Sequence, residues 1–269
     1  MKRFGLIGHP VAGSFSPKLF EAAYGGRYPY DLIEGADFGA SWQRFLDEYD
    51  GINITAPFKE FAFRAVDALS DDARLCGAVN LAVQTPAGIV GYNTDVAGVV
   101  LAVREACAQA GLASPGPQPV IPGSPGTQPV IPGLTGNLLK EALVVGCGGA
   151  GRAAAVAALR LGCRVTLANR TPSRAAALAE DLGCEWIPAE NLASLSPDLV
   201  IYTVPGPMDG FPEFPEAIIL EANYRTPCLE GRGKAYISGL RWLLYQAVAG
   251  YEIFTGETPD AGAMFRIFC

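Results

Sequence analysis

The stretch ALVVGCGGAGRAAAVAALRLGCRVTLANRT, residues 142–171, is the part of this sequence that most strongly indicates a fold. A short apolar run leads into a glycine-rich segment, then an alanine-rich segment, then a second apolar run. This order predicts a β-strand, a tight turn, an α-helix and another strand. Gly146, Gly148 and Gly151 match GxGxxG at the turn. Such glycines allow a pyrophosphate to approach the backbone at a helix N-terminus, so the stretch predicts a dinucleotide-binding unit; the alternative is a plain strand-to-helix turn.

The end of the second strand indicates which dinucleotide is bound. An NAD site usually places Asp or Glu about twenty residues beyond the glycine turn, where the carboxylate binds the ribose 2′-hydroxyl. Here the sequence is Asn169-Arg170-Thr171, followed by Arg174, with no carboxylate. Because a guanidinium group forms two parallel hydrogen bonds to phosphate, this segment favours NADP. The alternative is a surface helix start with two solvated arginines.

Strands and helices alternate through both halves of the chain. Strands are predicted at 3–8, 30–34, 51–55, 78–85, 88–93, 198–205 and 217–223, and helices from Ser16–Pro17 (with Ser16 as cap), at 41–49, 58–69 and 94–110, and in the tail from residue 238. Pro86-Ala87-Gly88 predicts a hairpin turn. The predicted class is α/β with two domains, an N-terminal α/β substrate domain and a Rossmann NADP-binding domain, with a cleft between them.

Composition excludes several classes of function. The chain has 269 residues, half of them hydrophobic, and a net charge of −7 without a basic stripe, so no nucleic-acid partner is expected. Seven scattered cysteines and one histidine disfavour a disulfide framework or a metal site and fit a reducing cytoplasm. The apolar run near the N-terminus is too short for a signal peptide, and no segment is expected to enter a membrane.

A proline- and glycine-rich segment, residues 114–133, separates the two halves and contains QPVIPG twice. Its composition excludes a helix or a central strand and is typical of a solvated insertion at a domain boundary. A proline-rich element that recognises a partner is the alternative. We expect deletion of residues 118–133 to leave turnover and the melting temperature nearly unchanged.

Polar residues recur at the predicted strand ends of the first half. The stretch GINITAPFKE, residues 51–60, is a strand stopped by Pro57 and followed by Lys59. Lys59 is either a surface residue at a helix start or a group that reaches a ligand crevice at the strand ends. The polar residues at these ends are Ser14, Ser16, Asn53, Thr55, Lys59, Asn80, Asn93 and Asp95. Each has a structural explanation as a cap or turn residue, but together they suit a small polyhydroxylated or carboxylated molecule.

These segments resemble those of the shikimate dehydrogenase family. The matching segments are GHPVAGSFSP (8–17), GINITAPFKE (51–60), GAVN (77–80), GYNTD (91–95), GCGGAGRA (146–153), NRTPSRA (169–175) and LLYQA (243–247). They occur in the family's order over nearly the whole chain. The lysine after N-[IV]-T-x-P-[FY] and the NTD segment some thirty-five residues later are specific to this family.

The resemblance implies a role for each matching residue. Lys59 and Asp95 would be the catalytic pair. The substrate would be bound by Ser14, Ser16 and Thr55 at its carboxylate, by Asn80, Asp95 and Gln246 at its ring hydroxyls, and by the nearby Tyr224. NADP would be bound by Gly146, Gly148, Gly149, Ala150, Gly151, Asn169, Arg170, Thr171, Arg174 and Gly239. No metal is implied.

The chain also departs from the family pattern. Leu81 replaces the usual threonine after GAVN, and DxxYxPxxTP is shortened to EANYRTP. The G-x-G-M segment, which lies beside the nicotinamide in the family, reads Gly239-Leu240-Arg241-Trp242. His9 corresponds to a position that is not catalytic in the family.

The implied function is an NADP-dependent, cytoplasmic shikimate dehydrogenase that reversibly reduces 3-dehydroshikimate to shikimate in aromatic amino acid and chorismate biosynthesis, as a monomer or homodimer. Alternatives are a quinate/shikimate or aminoshikimate dehydrogenase, or a non-catalytic NADP- or metabolite-binding homologue, which Arg241-Trp242 keeps open. The implied domains are residues 1–97, completed by helices at 237–269, and residues 98–236 with the insertion 114–133.

Overall fold

A computed structural model describes residues 1–110 and 139–269, so the predictions for the repeat at 114–133 lie outside the described residues. The strands are β1 Phe4–Gly8, β2 Tyr30–Glu34, β3 Gly51–Ile54, β4 Ala68–Leu69, β5 Leu81–Thr85, β6 Gly88–Tyr92, β7 Glu141–Val145, β8 Arg164–Ala168, β9 Glu185–Trp186, β10 Leu199–Tyr202, β11 Phe214–Glu221 and β12 Gly233–Ser238. The α-helices are α1 Ser16–Tyr24, α2 Phe38–Glu48, α3 Lys59–Ala65, α4 Asp71–Cys76, α5 Asp95–Gln109, α6 Gly149–Arg160, α7 Pro172–Leu182, α8 Gly239–Thr255 and α9 Ala261–Phe265. Short 3₁₀ helices span Ala189–Ser194 and Arg266–Phe268.

The described residues form two compact units. One comprises residues 1–94 and 246–269, and the other comprises residues 95–110 and 139–245. Each unit contains one sheet of six strands flanked by helices. The predicted α/β class with two sheet-containing parts is therefore confirmed.

The sheet of the first unit is mixed, with the order β2-β1-β3-β5-β6-β4. β1 pairs in parallel with β2 and β3, whereas β5 runs antiparallel to both β3 and β6. The predicted hairpin is confirmed, since Thr85 pairs with Gly88 and Gly88 adopts a φ of +120°. Buried apolar side chains on the neighbouring strands β1 and β3, among them Ile7, Ile52 and Ile54, form the core against the helices.

The sheet of the second unit is entirely parallel, with the order β12-β11-β10-β7-β8-β9. Counted from β7 this is the doubly wound order 3-2-1-4-5-6, in which the chain changes direction across the sheet between β7 and β10. Strands such as β10, which is buried along its whole length, are near-continuous apolar runs because helices cover both faces of a parallel sheet.

Several predictions about local structure were wrong. Ser16 does not cap α1; the cap residue is Phe15, and no side chain caps this helix end. The helix predicted over 58–69 ends at Ala65, because Val66 turns to an extended conformation and Ala68–Leu69 pairs with β6 as an edge strand. β9, β12 and α4 were not predicted. Their short or mixed sequences lack a clear apolar period, so pairing with neighbouring strands decides their structure.

Candidate functional site

The glycine turn joins β7 to α6, and its glycines differ in what surrounds them. Gly146 has a φ of +102°, which favours glycine. A Cβ at Gly151 would lie 1.8 Å from the Gly146 carbonyl oxygen, so α6 can begin this close to β7 only with glycine there. At Gly148 and Gly149 a Cβ would meet nothing within 4 Å, and the next residue, Ala150, is exposed. The turn thus leaves space for a pyrophosphate at the N-terminus of α6.

Thr203 completes this turn and was missed in the sequence analysis. It follows β10, and its hydroxyl donates to the carbonyl oxygen of Val145 at 2.9 Å. A Cβ at Gly146 would lie 2.4 Å from the Thr203 hydroxyl oxygen. Because the strand order reverses between β7 and β10, this is the point where open α/β sheets bind their ligands. The available signal was the position of Thr203 directly after the apolar run LVIY.

The segment after β8 lies against the glycine turn through Asn169. Its side-chain oxygen accepts from the backbone N–H of Cys147 at 3.3 Å, and its amide donates to the carbonyl oxygen of Thr171 at 3.0 Å. Arg170 and Arg174 are exposed, and neither forms an ion pair with another residue that the structure describes. Asn169 therefore joins the two loops, and both guanidinium groups beside it can receive a phosphate.

The cysteine inside the glycine turn is neutral near pH 7. Burial, with a smaller contribution from Cys184, raises the pKa of Cys147 to about 11. A protonated thiol does not repel an anionic pyrophosphate, so the residue is compatible with the predicted ligand.

In the first unit, Thr55 and Lys59 follow β3 as predicted. The Thr55 backbone N–H donates to the carbonyl oxygen of Ile7 at 3.0 Å. Its side-chain hydroxyl makes no hydrogen bond within the described chain. Lys59 is half-buried as the first residue of α3, and its carbonyl oxygen accepts from the backbone N–H of Val79 at 3.0 Å. This bond fixes the beginning of α3 against the turn that contains Asn80.

Asn80 is buried, and its side chain holds the segment that precedes α5. Its oxygen accepts from the Thr94 backbone N–H at 2.8 Å, and its amide donates to the Thr94 hydroxyl at 3.1 Å. The neighbouring Asn93 donates to the carbonyl oxygen of Ala78 at 3.0 Å. The turn before β5 and the segment after β6 are therefore tied by side-chain amides. Asp95, which follows Thr94, is the first residue of α5 and of the second unit.

Ser14 and Ser16 lie together in a hydrogen-bonded group with residues that the sequence analysis did not select for the site. The Ser14 hydroxyl donates to that of Ser16 at 3.1 Å, and the Tyr251 hydroxyl donates to the Ser16 carbonyl oxygen at 3.0 Å. The Tyr30 hydroxyl donates to the Asn53 side-chain oxygen at 2.8 Å. Burial raises the pKa of Tyr30 well above its usual value, so its hydroxyl remains a donor. Nothing in the local sequence indicates these partners, since Tyr251 is far from Ser16 along the chain.

Gln246 and Tyr224 are half-buried in different units. Gln246 lies on α8, and its amide makes no hydrogen bond to the residues described by the structure. It can therefore bind a ligand without losing an existing partner. Tyr224 lies in the loop after β11.

The loop that carries Tyr224 is anchored by Glu221, which is fully buried. The Glu221 carboxylate accepts from the backbone N–H groups of Cys228 at 2.8 Å and Leu229 at 3.0 Å, and from the Tyr236 hydroxyl at 3.0 Å. A buried carboxylate is tolerated when donors saturate it, so Glu221 fixes both ends of this shortened loop.

The segment that departs from the family has its own contacts. A Cβ at Gly239 would lie 2.3 Å from the carbonyl oxygen of Ala222, so α8 begins directly against the end of β11. Arg241 lies 3.4 Å from Glu105 on α5. Burial and the neighbouring Glu105 charge raise the pKa of Tyr245 to about 12. Arg241 and Tyr245 therefore meet the same carboxylate on α5.

His9 is exposed, and its Nδ1 lies 3.6 Å from the Glu34 carboxylate, which fits a structural residue. Over residues 1–110 and 139–269, no group of three or more His, Cys, Asp or Glu side chains is arranged to hold a metal ion. No helix in these ranges has the length and apolarity to cross a membrane.

Comparison with known proteins identifies the family. Residues 6–82 match a family model described as the shikimate dehydrogenase substrate binding domain. The NADP(+)-dependent shikimate dehydrogenase of Rubrobacter xylanophilus is 36% identical over 293 residues, covering 97% of this chain and 93% of the relative. The crystal structure of shikimate 5-dehydrogenase from Thermus thermophilus with NADP(H) and shikimate has a TM-score of 0.78 at 30% identity and covers 99% of this chain and 98% of that one.

The structure of an enzyme named for a different substrate also matches. Quinate dehydrogenase from Corynebacterium glutamicum, solved in complex with NAD, has a TM-score of 0.78 at 25% identity and covers 99% of this chain and 98% of that one. The similarity to the Rubrobacter relative is higher and extends over nearly both full chains. Together with the doubly wound sheet and its glycine turn, it shows that this chain belongs to the shikimate dehydrogenase family.

Proposed function

We propose that this protein is an NADP-dependent shikimate dehydrogenase that reversibly reduces 3-dehydroshikimate to shikimate, a step of aromatic amino acid and chorismate biosynthesis. One observation carries the proposal. A glycine turn open to a pyrophosphate is followed, after β8, by two exposed arginines and no carboxylate. This arrangement occurs in a chain that matches, over 99% of its own length, a structure that contains NADP(H) and shikimate.

The residues proposed to bind NADP fit that ligand. They are Gly146, Gly148, Gly149, Ala150, Gly151, Asn169, Arg170, Thr171, Arg174 and Gly239. The space beside Gly148 and Gly149 suits the pyrophosphate, and Arg170 and Arg174 suit the 2′-phosphate. The bound cofactor supplies or accepts the hydride at the ring carbon.

Lys59 and Asp95 are the proposed catalytic pair. When the ketone is reduced, the Lys59 ammonium donates a proton to the carbonyl oxygen; in the reverse direction the neutral amine accepts the hydroxyl proton. Asp95 keeps the lysine oriented and supports its charge. The hydrogen bonds that join the backbone of Lys59 to Val79 and the side chain of Asn80 to Thr94 support this proposal, because they fix the segments from which both residues come.

The other site residues are proposed to bind the substrate. Ser14, Ser16 and Thr55 bind the carboxylate, Asn80, Asp95 and Gln246 bind ring hydroxyls, and Tyr224 is a further residue near the bound substrate. The hydroxyl of Thr55 and the amide of Gln246 suit this role, since neither is hydrogen-bonded within the described part of the chain. The Asn80 amide already donates to the Thr94 hydroxyl, so the proposed substrate contact of Asn80 involves a side chain that is also hydrogen-bonded to Thr94.

We propose a substrate-binding and catalytic domain of residues 1–97, completed by 237–269, and a nucleotide-binding domain of residues 98–236. The compact units of the described residues, which change near residues 94 and 246, support this division. The scattered cysteines support a reducing, cytoplasmic location. We propose that the enzyme acts as a monomer or homodimer.

The experiment that tests the function is an absorbance assay of nicotinamide reduction. Shikimate and quinate are each combined with NADP and with NAD, and initial rates are compared. We expect the highest kcat/KM with shikimate and NADP. A preference for quinate would make the protein a quinate dehydrogenase, and NADP binding without turnover of either compound would favour the non-catalytic homologue.

A further inference from the structure

Trp242 contacts the backbone of the proposed catalytic aspartate. It lies in the first turn of α8, only 6% of its surface is exposed, and its indole N–H donates to the carbonyl oxygen of Asp95 at 2.9 Å. Both residues belong to the second unit. A buried indole N–H requires an acceptor, and here that acceptor is the first residue of α5.

The same helix pair has a second contact farther along. Arg241, next to Trp242, lies 3.4 Å from Glu105, which is ten residues after Asp95 on α5. At 1.5 Å per helical residue the two contacts are about 15 Å apart along α5. Contacts at two separated points determine the direction of a helix as well as its position, and the Trp242 contact is at the end that carries Asp95.

The type of bond suggests more than apolar packing. The first carbonyl of a helix accepts one bond from the residue four positions later, and a carbonyl oxygen has a second lone pair. The indole N–H reaches this carbonyl from another helix, so it restrains the backbone of Asp95 and with it the direction in which its side chain leaves the helix. Asp95 is itself buried, with 6% of its surface exposed.

We propose that Trp242 is a positioning residue for the reaction, whose indole N–H fixes the backbone of Asp95 and thereby the placement of its carboxylate. This inference rests on the proposed function, because it assigns the positioning to a residue proposed to act in catalysis. It also gives the Arg241-Trp242 departure from the family segment a physical role: the two side chains hold α5 against α8.

The test removes the N–H while keeping an aromatic ring. For Trp242→Phe we expect kcat with shikimate and NADP to fall about tenfold, because small displacements of a catalytic group are costly, whereas KM for each ligand stays within about twofold. In an Asp95→Asn background, Trp242→Phe should cause no further loss of kcat, since both changes disturb the same catalytic group. Arg241→Leu, which leaves the indole in place, is the control and should change kcat less than Trp242→Phe does.

The outcomes separate the possible roles of Trp242. A kcat of Trp242→Phe within about twofold of wild type would overturn the inference. A rise in the KM for NADP alone would also overturn it, because that result indicates a cofactor contact. So would a loss of kcat in the Asp95→Asn background equal to the loss in the wild-type background. An inactive wild type would overturn the proposed function as well, so the two failures are distinguishable. If Trp242→Phe does not fold, site-specific incorporation of 3-benzothienylalanine keeps the bicyclic shape without the N–H, and the same expectations apply.

Discussion

The glycine turn of the second unit and the polar strand ends of the first unit are both proposed to bind ligands, but with different parts of the chain. At the turn, the proposed binding groups are backbone N–H groups, and the missing side chains of Gly148 and Gly149 leave space for the ligand. At the strand ends of the first unit, the proposed binding groups are side chains. Their positions depend on hydrogen bonds such as those from Asn80 to Thr94 and from Tyr251 to Ser16.

This difference determines how each site can fail. A backbone site fails when an atom is added, because the added atom occupies the ligand's space or displaces a neighbouring strand. A side-chain site fails when an atom is removed, because a donor or acceptor is lost while the backbone survives. Substitutions that add an atom at the turn, or remove a polar group from a side chain, therefore separate the two kinds of site.

The largest effect on stability is expected from adding a methyl group at Gly151. Its Cβ would lie 1.8 Å from a backbone oxygen, so Gly151→Ala should lower the free energy of unfolding by about 3 kcal/mol. Gly148→Ala is the matched control. Its Cβ meets no neighbouring atom, so the melting temperature should not change, whereas the Kd for NADPH should rise about tenfold. Thermal denaturation and a fluorescence titration with NADPH measure both. Equal melting temperatures for the two variants would contradict this account of the turn.

A smaller and selective effect is expected at the ribose end of the nucleotide site, where a side chain does take part. Arg170→Ala removes one of two exposed guanidinium groups, and the loss of a charge-assisted bond costs about 1.5–3 kcal/mol. The KM for NADP should therefore rise about tenfold or more, while that for NAD changes little. Steady-state kinetics with both cofactors measure this. An equal rise for both would exclude Arg170 as the 2′-phosphate ligand.

The smallest effect concerns pH and the hydrogen-bonded side chains of the first unit. Burial raises the pKa of Tyr24 to about 12, and its hydroxyl donates to the carbonyl oxygen of Tyr251 at 2.9 Å. Because the folded state holds this proton more tightly than the unfolded state does, the stabilisation is complete below about pH 10 and is lost as pH rises towards 12. Urea denaturation should show Tyr24→Phe less stable at pH 8 but with a shallower decline above pH 10. A parallel decline of the free energy of unfolding in the wild type and in Tyr24→Phe would show that Tyr24 does not contribute to the loss of stability above pH 10.

The same difference explains what could be predicted from sequence. The glycine turn is a local pattern, since GxGxxG between an apolar strand and an alanine-rich helix nearly determines the backbone path. The position of the turn and the following strand could be predicted, and so could a preference for NADP, because no carboxylate stands at Asn169. In contrast, Thr203 contacts Gly146 only because β10 lies beside β7, and the order of strands in a sheet cannot be predicted from any local segment.

The polar site residues and the contacts that hold them were harder to predict for the same physical reason. Lys59, Asn80 and Asp95 were selected by their places after strands and by a family resemblance. The partners of the site residues, including Tyr30, Tyr251 and Trp242, come from distant segments. The error at Ser16 is similar: Ser followed by Pro indicates a helix start, but the structure begins the helix with Ser16 inside it. The end of α3 was also misjudged, because pairing of Ala68–Leu69 with β6 outweighs helix propensity.

The most direct test of the central claim, that the first unit supplies the proton transfer while the glycine turn binds the cofactor, is to measure turnover and NADP affinity together in Lys59→Met. Methionine keeps much of the length and the apolar stem of lysine but has no proton to transfer. We predict that kcat falls by roughly 10² or more, as expected for a lost general acid–base group, while the Kd for NADP and the melting temperature remain those of the wild type. A variant that retained most of its turnover, or that lost NADP affinity in proportion to its rate, would contradict the claim.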